Sequence, residues 1–114
     1  MQTLLICGAT GFIGRNIAEH YARTGEYKVV GVHNKRRSFE CPGLIWIKAD
    51  LTNPDDVDRA LSGVDIVIQA AATTSGSKDI VARPFIHTTD NAVMNSLLFR
   101  AAFEKNLDQV VFFS

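Results

Sequence analysis

Thr3-Leu4-Leu5-Ile6-Cys7-Gly8-Ala9-Thr10-Gly11-Phe12-Ile13-Gly14 decides the fold of this chain. The first five residues are a short apolar run of the kind that forms a strand buried on both faces. Three glycines at a spacing of three follow at once, and an amphipathic segment follows them. Glycine adopts positive φ without a steric penalty and lets another group approach the backbone closely. The first turn of the next helix presents unpaired N–H groups and the positive end of the helix dipole. Strand, glycine turn and helix start together make a cradle for a pyrophosphate, which predicts that the chain binds a dinucleotide.

Outward from that turn the pattern alternates. Ile13, Ile17 and Tyr21 share one face of a helix from Phe12 to about Arg23, with Gly25 as its terminator. Residues 28–32 and 44–47 read as strands, separated by the basic stretch Asn34 to Ser38 and the breaker Pro42-Gly43. Asn53-Pro54-Asp55-Asp56 has the form of a helix start, with a cap, proline at the first position and acids in the first turn. Residues 64–68 read as a fourth strand. Met94, Leu97, Leu98, Ala101 and Ala102 place a long helix over about 90–105, and residues 110–113 read as a fifth strand. Strands alternating with helices predict a parallel sheet with right-handed crossovers.

The composition bounds the rest. With 114 residues, 46% of them hydrophobic, the chain forms one globular domain. Its formal net charge of zero offers no basic field for nucleic acid. No apolar run approaches the ~20 residues that span a bilayer, and no secretory signal opens the chain. The expected compartment is cytoplasmic. Cys7 and Cys41 form no CxxC pair, and His20, His33 and His87 have no metal spacing, so two reduced thiols and no metal are expected.

The chain resembles the N-terminal part of the extended short-chain dehydrogenases/reductases, the NAD(P)-dependent epimerase/dehydratase type. The likeness rests on Gly8-Ala9-Thr10-Gly11-Phe12-Ile13-Gly14, Ala49-Asp50-Leu51, Val64-Asp65 leading to Ala70-Ala71-Ala72, Asn91, and Val111-Phe112-Phe113-Ser114, in family order across almost the whole chain. It implies an α/β, Rossmann-like, doubly wound sheet of five parallel strands in the order 3-2-1-4-5, with helices on both faces. It also implies that residues 1–114 are the NAD(P)-binding domain, cut before the catalytic Tyr-x-x-x-Lys and the substrate domain.

Site residues carried over from the resemblance are Gly8, Thr10, Gly11 and Gly14 at the pyrophosphate, with Phe12 and Ile13 offering backbone N–H groups. Asp50 and Leu51 are expected at the adenine; a strand-end cap is the competing role for Asp50. Ala70, Ala71 and Ala72 are expected beside the cofactor, where by composition alone they would be tight packing.

The choice of cofactor follows from charge. NAD sites usually carry an acid about 20 residues past the glycines, on the ribose hydroxyls. Here the second strand runs into Val32-His33-Asn34-Lys35-Arg36-Arg37-Ser38, with no acid before Glu40. Cations pair with a 2′-phosphate, each charge-assisted bond contributing ~1.5–3 kcal/mol. NADP is therefore expected, with NAD as an alternative, held by Arg36 or Arg37 with Lys35 and Asn34. A merely solvated basic turn is the competing explanation.

The family's chemistry uses a Ser/Thr, a Tyr and a Lys. Neither Tyr21 nor Tyr27 has a lysine four residues on, and Ser114 falls slightly short of the usual catalytic hydroxyl. No catalytic residue is assigned. The expected function is the NADP(H)-binding portion of a nucleotide-sugar epimerase, dehydratase or reductase; the alternatives are a non-catalytic NADP(H)-sensing protein and a degenerate domain used for assembly. The loop Thr73 to Lys78 lies where relatives face the sugar nucleotide, so Thr73 and Ser75 either contact substrate or are solvated. The stretch Asn91-Ala92-Val93-Met94-Asn95-Ser96 is similar to the GDP-fucose synthase-like branch. A homo-oligomer is expected, through the long helix or the exposed fifth strand.

Overall fold

The computed structural model describes residues 1–71 and 84–113, with the backbone alone over 84–89. Strand β1 (Thr3–Cys7) is the middle of the sheet, and Leu4, Leu5, Ile6 and Cys7 are buried because both faces are covered. Helix α1 (Phe12–Thr24) returns the chain to β2 (Lys28–His33), and β3 (Leu44–Lys48) follows after an irregular segment. Helix α2 (Pro54–Ala60) leads to β4 (Ile66–Gln69), and helix α3 (Pro84–Glu104) leads to β5 (Gln109–Phe112). The five strands are all parallel, in the order β3-β2-β1-β4-β5. The expected Rossmann-like sheet and strand order are both found.

Alternation along the strands divides the core in two. Leu4, Ile6, Val29 and Ile68 pack with Ala18 of α1 on one face. Leu5, Cys7, Val32 and Val67 pack with Val57 of α2 and Met94 and Leu98 of α3 on the other. Lys105 Nζ lies 2.9 Å from Asp58 Oδ1 and ties the end of α3 to α2. Gly25 ends α1 at φ 69°, in the left-handed region, as a glycine terminator should. The Asn53 side chain accepts from the N–H groups of Asp55 and Asp56 at 2.9 and 3.1 Å and so caps α2. Among the described residues no helix is long and apolar enough to cross a membrane.

Strands β2, β3 and β4 run one residue further than the sequence expectation, to His33, Lys48 and Gln69, and three element starts also differ. Helix α3 begins at Pro84 rather than near Asp90. Proline suits a first helical position, where the missing N–H has no intrahelical acceptor, whereas the apolar periodicity marks only the later turns. Strand β4 starts at Ile66 rather than Val64: the Asp65 carboxylate takes the Thr3 N–H at 2.8 Å, a place a strand carbonyl would hold. Strand β5 is shifted back by one residue, because Phe113 lies beyond the ladder.

Candidate functional site: the glycine turn and the strand ends beside it

Gly8 has φ +77°, and its carbonyl accepts from Gly11 N–H at 3.0 Å. A Cβ on Gly8 would lie 2.6 Å from Ala71 Cα, and one on Gly14 would lie 2.0 Å from Gly8 O. The fold itself therefore demands glycine at both positions. Gly11 is different. Among the described residues a Cβ there meets only Gly8 O, at an ordinary 3.4 Å, and its φ of −82° suits any residue. No other described residue fills the space in front of Gly11.

Gly11 is also the N-cap of α1, and it has no side chain to satisfy the first amides. Arg15 N–H is bonded to Gly11 O at 2.8 Å. The N–H groups of Phe12, Ile13 and Gly14 have no acceptor among the described residues. The Phe12 side chain stands clear of the surface at 86% exposed, so it does not cover them. Thr10 is half-buried beside them. A set of free amides at the positive end of a helix, with a glycine in front, attracts anionic oxygens.

The carboxyl end of β4 forms the other wall. Cys7 is paired with Gln69 in register, so Ala70 and Ala71 run past the glycine turn. Gln69 holds them there. It is buried at 2% exposed; its Oε1 accepts from Ala71 N–H at 2.9 Å, and its Nε2 donates to Asn95 Oδ1 of α3 at 3.0 Å. Leaving such buried partners unpaired costs about 1–3 kcal/mol. The sequence reading missed Gln69; its signal was a polar residue closing an otherwise apolar strand.

The third component is the segment after β2. Asn34, Lys35, Arg36 and Arg37 are all exposed, and no ion pair ties the three cations among the described residues. The segment is anchored further on. The indole Nε1 of Trp46 donates to Phe39 O at 2.7 Å, and the two rings meet edge to face. The Arg15 guanidinium lies 4.1 Å from the centre of the Phe39 ring, a cation–π contact from α1. Trp46 has room because Gly31 lies beneath it, where a Cβ would come within 3.0 Å of the indole.

Asp50 closes β3. Its Oδ1 accepts from Thr52 Oγ1 at 2.6 Å and Thr52 N–H at 3.0 Å. These two bonds, the hydroxyl first, hold its carboxyl below the usual 3.8, aided by the charge of Lys35 and opposed by partial burial. Asp50 thus caps the strand end, and its ionised state is fixed. Leu51 is 7% exposed, its side chain packed in the core with Val57 and Leu61. Its N–H has no acceptor among the described residues, so it is the backbone of Leu51 that is available at the site.

Ala72, Thr73, Ser75 and Ser114 lie outside the described residues. Neither tyrosine stands at the glycine turn: Tyr21 and Tyr27 meet edge to face, centroids 5.6 Å apart, among the partly buried residues of the α1 face. Cys7 is wholly buried, which pushes its thiol up to about 12 and leaves it unreactive at neutral pH.

Comparison with known proteins agrees with the fold. Residues 4–114 match the model of the NAD dependent epimerase/dehydratase family. The chain is 31% identical over 91 residues to 2-alkyl-3-oxoalkanoate reductase of Shewanella oneidensis, an alignment that covers 77% of this chain and 23% of that protein. WbmH of Bordetella bronchiseptica, solved in complex with NAD+, is 28% identical with a TM-score of 0.82, over 100% of this chain and 39% of that one. UDP-glucose 4-epimerase of Bifidobacterium longum, solved with NAD+ and UDP, shares the fold at 21% identity and a TM-score of 0.82, over 99% of this chain and 37% of that one. The chain therefore spans well under half the length of these relatives. Matched over almost its whole length, with a glycine turn and sheet order to correspond, it belongs to the NAD dependent epimerase/dehydratase family.

Proposed function

We propose that residues 1–114 are the cofactor-binding part of an epimerase, dehydratase or reductase of nucleotide sugars, and that the cofactor is NADP(H) in preference to NAD(H). The observation that carries the proposal is the trio of amides at Phe12, Ile13 and Gly14, which have no acceptor among the described residues and follow directly on Gly11. Gly8, Thr10, Gly11 and Gly14 would line the pyrophosphate, whose oxygens would accept from the N–H groups of Phe12, Ile13 and Gly14. Asp50 and the Leu51 backbone would meet the adenine, and Ala70 and Ala71 would pass beside the cofactor. When bound, the nicotinamide supplies hydride transfer; the Tyr-x-x-x-Lys that such chemistry uses in the family is not among these residues.

The preference for NADP(H) rests on the exposed Arg36 and Arg37, which have no ion pair among the described residues, with Lys35 and Asn34 beside them. WbmH was solved with NAD+, so the argument belongs to this chain's own basic turn. The nucleotide-sugar substrate is the family's expectation, and the likeness to the GDP-fucose synthase-like branch rests on 91–96 alone. Free Cys7 and Cys41 suit a reducing, cytoplasmic setting. Assembly is proposed through α3 and β5, where Phe99 and Phe103 are 55% and 84% exposed and Phe99 stacks on Phe112 at 4.3 Å.

Titration calorimetry with NADPH and NADH tests the proposal. NADPH is expected to bind at least about tenfold more tightly, the equivalent of one charge-assisted bond. Equal affinities would remove the preference, and no binding of either would remove the site.

A further inference from the structure

Past Gln69 the ladder between β4 and β1 ends. The bond from Ala70 N–H to Cys7 O, 3.0 Å, is the last among the described residues that ties this segment to β1. One residue on, Ala71 N–H takes the Gln69 side chain instead, and that bond settles which way the amide faces. An N–H only donates, so the Gln69 atom 2.9 Å away is Oε1. Nε2 then faces α3, where Asn95 Oδ1 accepts from it at 3.0 Å. The Gln69 side chain is buried, so these partners stand where water would otherwise be needed.

The two bonds have different consequences. A bond from Gln69 to a residue two further on shapes the segment, but both partners would move together. Asn95 belongs to another element. Met94 and Leu98 sink into the core from the same helix, so α3 is a fixed point from which Gln69 is located. On its far side Ala71 is stopped by the glycine turn: a Cβ on Gly8 would stand 2.6 Å from both Ala71 N and Ala71 Cα. The gap is bounded by main chain on one side and governed by two amide side chains on the other. In packing this close, a shift of Ala71 is passed on to Gly8.

We infer that Gln69 and Asn95 are positioning residues for the dinucleotide, through which α3 sets the distance between the Ala71 main chain and the glycine turn. The inference rests on the dinucleotide site proposed above. It gives the pair a role unlike that of the basic turn. The glycine turn and the alanine wall would meet parts that NADP(H) and NAD(H) share, so losing the pair weakens both alike and leaves the preference between them unchanged.

Two measurements test it. The first needs no ligand: amide hydrogen exchange of the free protein. In Asn95→Leu, a residue that suits a helix interior, Ala71 N–H should exchange about tenfold faster relative to the ladder amides of β4. The second is affinity by titration calorimetry. NADPH and NADH should both bind about tenfold more weakly to Asn95→Leu, with their ratio unchanged. Asn95→Asp, which keeps an acceptor for Nε2, should retain both the protection and the affinities. Gln69→Leu should lose at least as much as Asn95→Leu, and the double variant little more than Gln69→Leu alone. Ala71 exchange that is unchanged in Asn95→Leu, or that rises equally throughout β4, would overturn the inference while leaving the dinucleotide site standing. So would additive losses in the double variant, or a loss in Asn95→Asp equal to that in Asn95→Leu. Wild-type protein that binds neither dinucleotide would overturn both. If Asn95→Leu fails to fold, Asn95→Ala and Asn95→Asp still decide.

Discussion

The glycine turn after β1 and the basic turn after β2 both lie at the carboxyl edge of the sheet, yet they are built in opposite ways. The first is made of backbone and is packed so closely that Cβ atoms on Gly8 and Gly14 would collide with other main chain. The second carries exposed side chains, with Phe39, Trp46 and Arg15 pinning its far end. A backbone cradle suits what all dinucleotides share, the pyrophosphate. Side chains suit what distinguishes them, the substituent on the ribose. On the proposed function, packing would protect the common role, and exposure would leave the discriminating one free to change.

The comparison breaks most visibly at Gly14. Gly14→Ala places a Cβ 2.0 Å from Gly8 O, so the turn must open. A loss of roughly 3 kcal/mol is expected in denaturant unfolding, with dinucleotide binding lost as well. Gly11→Leu is the sharper instrument. Because Gly11 has room, stability should change by no more than about 1 kcal/mol, while NADPH affinity falls about a hundredfold. Equal stability losses at the two glycines would erase the distinction between them.

On the basic turn, Arg36→Gln and Arg37→Gln should leave stability within about 0.5 kcal/mol. The pair together should cost about tenfold in NADPH affinity. The smallest effect is expected at Asp50. Its carboxyl titrates below 3.8 in the folded chain because of Thr52. A folded value below the unfolded one means a contribution that is complete above the unfolded value. It fades as pH falls through the folded one. Acid unfolding between pH 5 and 3 should therefore be less steep in Asp50→Asn, by under about 1 kcal/mol. A curve that overlays the wild type would place the Asp50 bonds to Thr52 outside the stability of the fold.

Much of the architecture was legible because its determinants are local. The apolar run of β1, the glycine spacing and the Asn53-Pro54 cap each specify their element within a few residues. What was not legible depends on neighbours remote in sequence. Gln69 reads as the end of a strand until Asn95 and the Ala71 amide are brought to it. His33 looks like one of three scattered histidines until Trp46 fixes its ring and leaves Nδ1 without a partner. The start of α3 was missed for a simpler reason: after Phe85 and Ile86 the polar run His87-Thr88-Thr89-Asp90-Asn91 interrupts the apolar periodicity.

The contact between Gly8 and Ala71 also has a consequence in time. The turn is encoded at the start of the chain, but its conformation is braced by a segment made after β4. Joining distant parts of a chain carries a loop-closure cost that slows assembly. The cradle is therefore finished late, when β4 docks beside β1. A ligand that recognises only the finished cradle has no early intermediate to hold. It acts as a latch on the native state, slowing the escape from it rather than hastening the arrival.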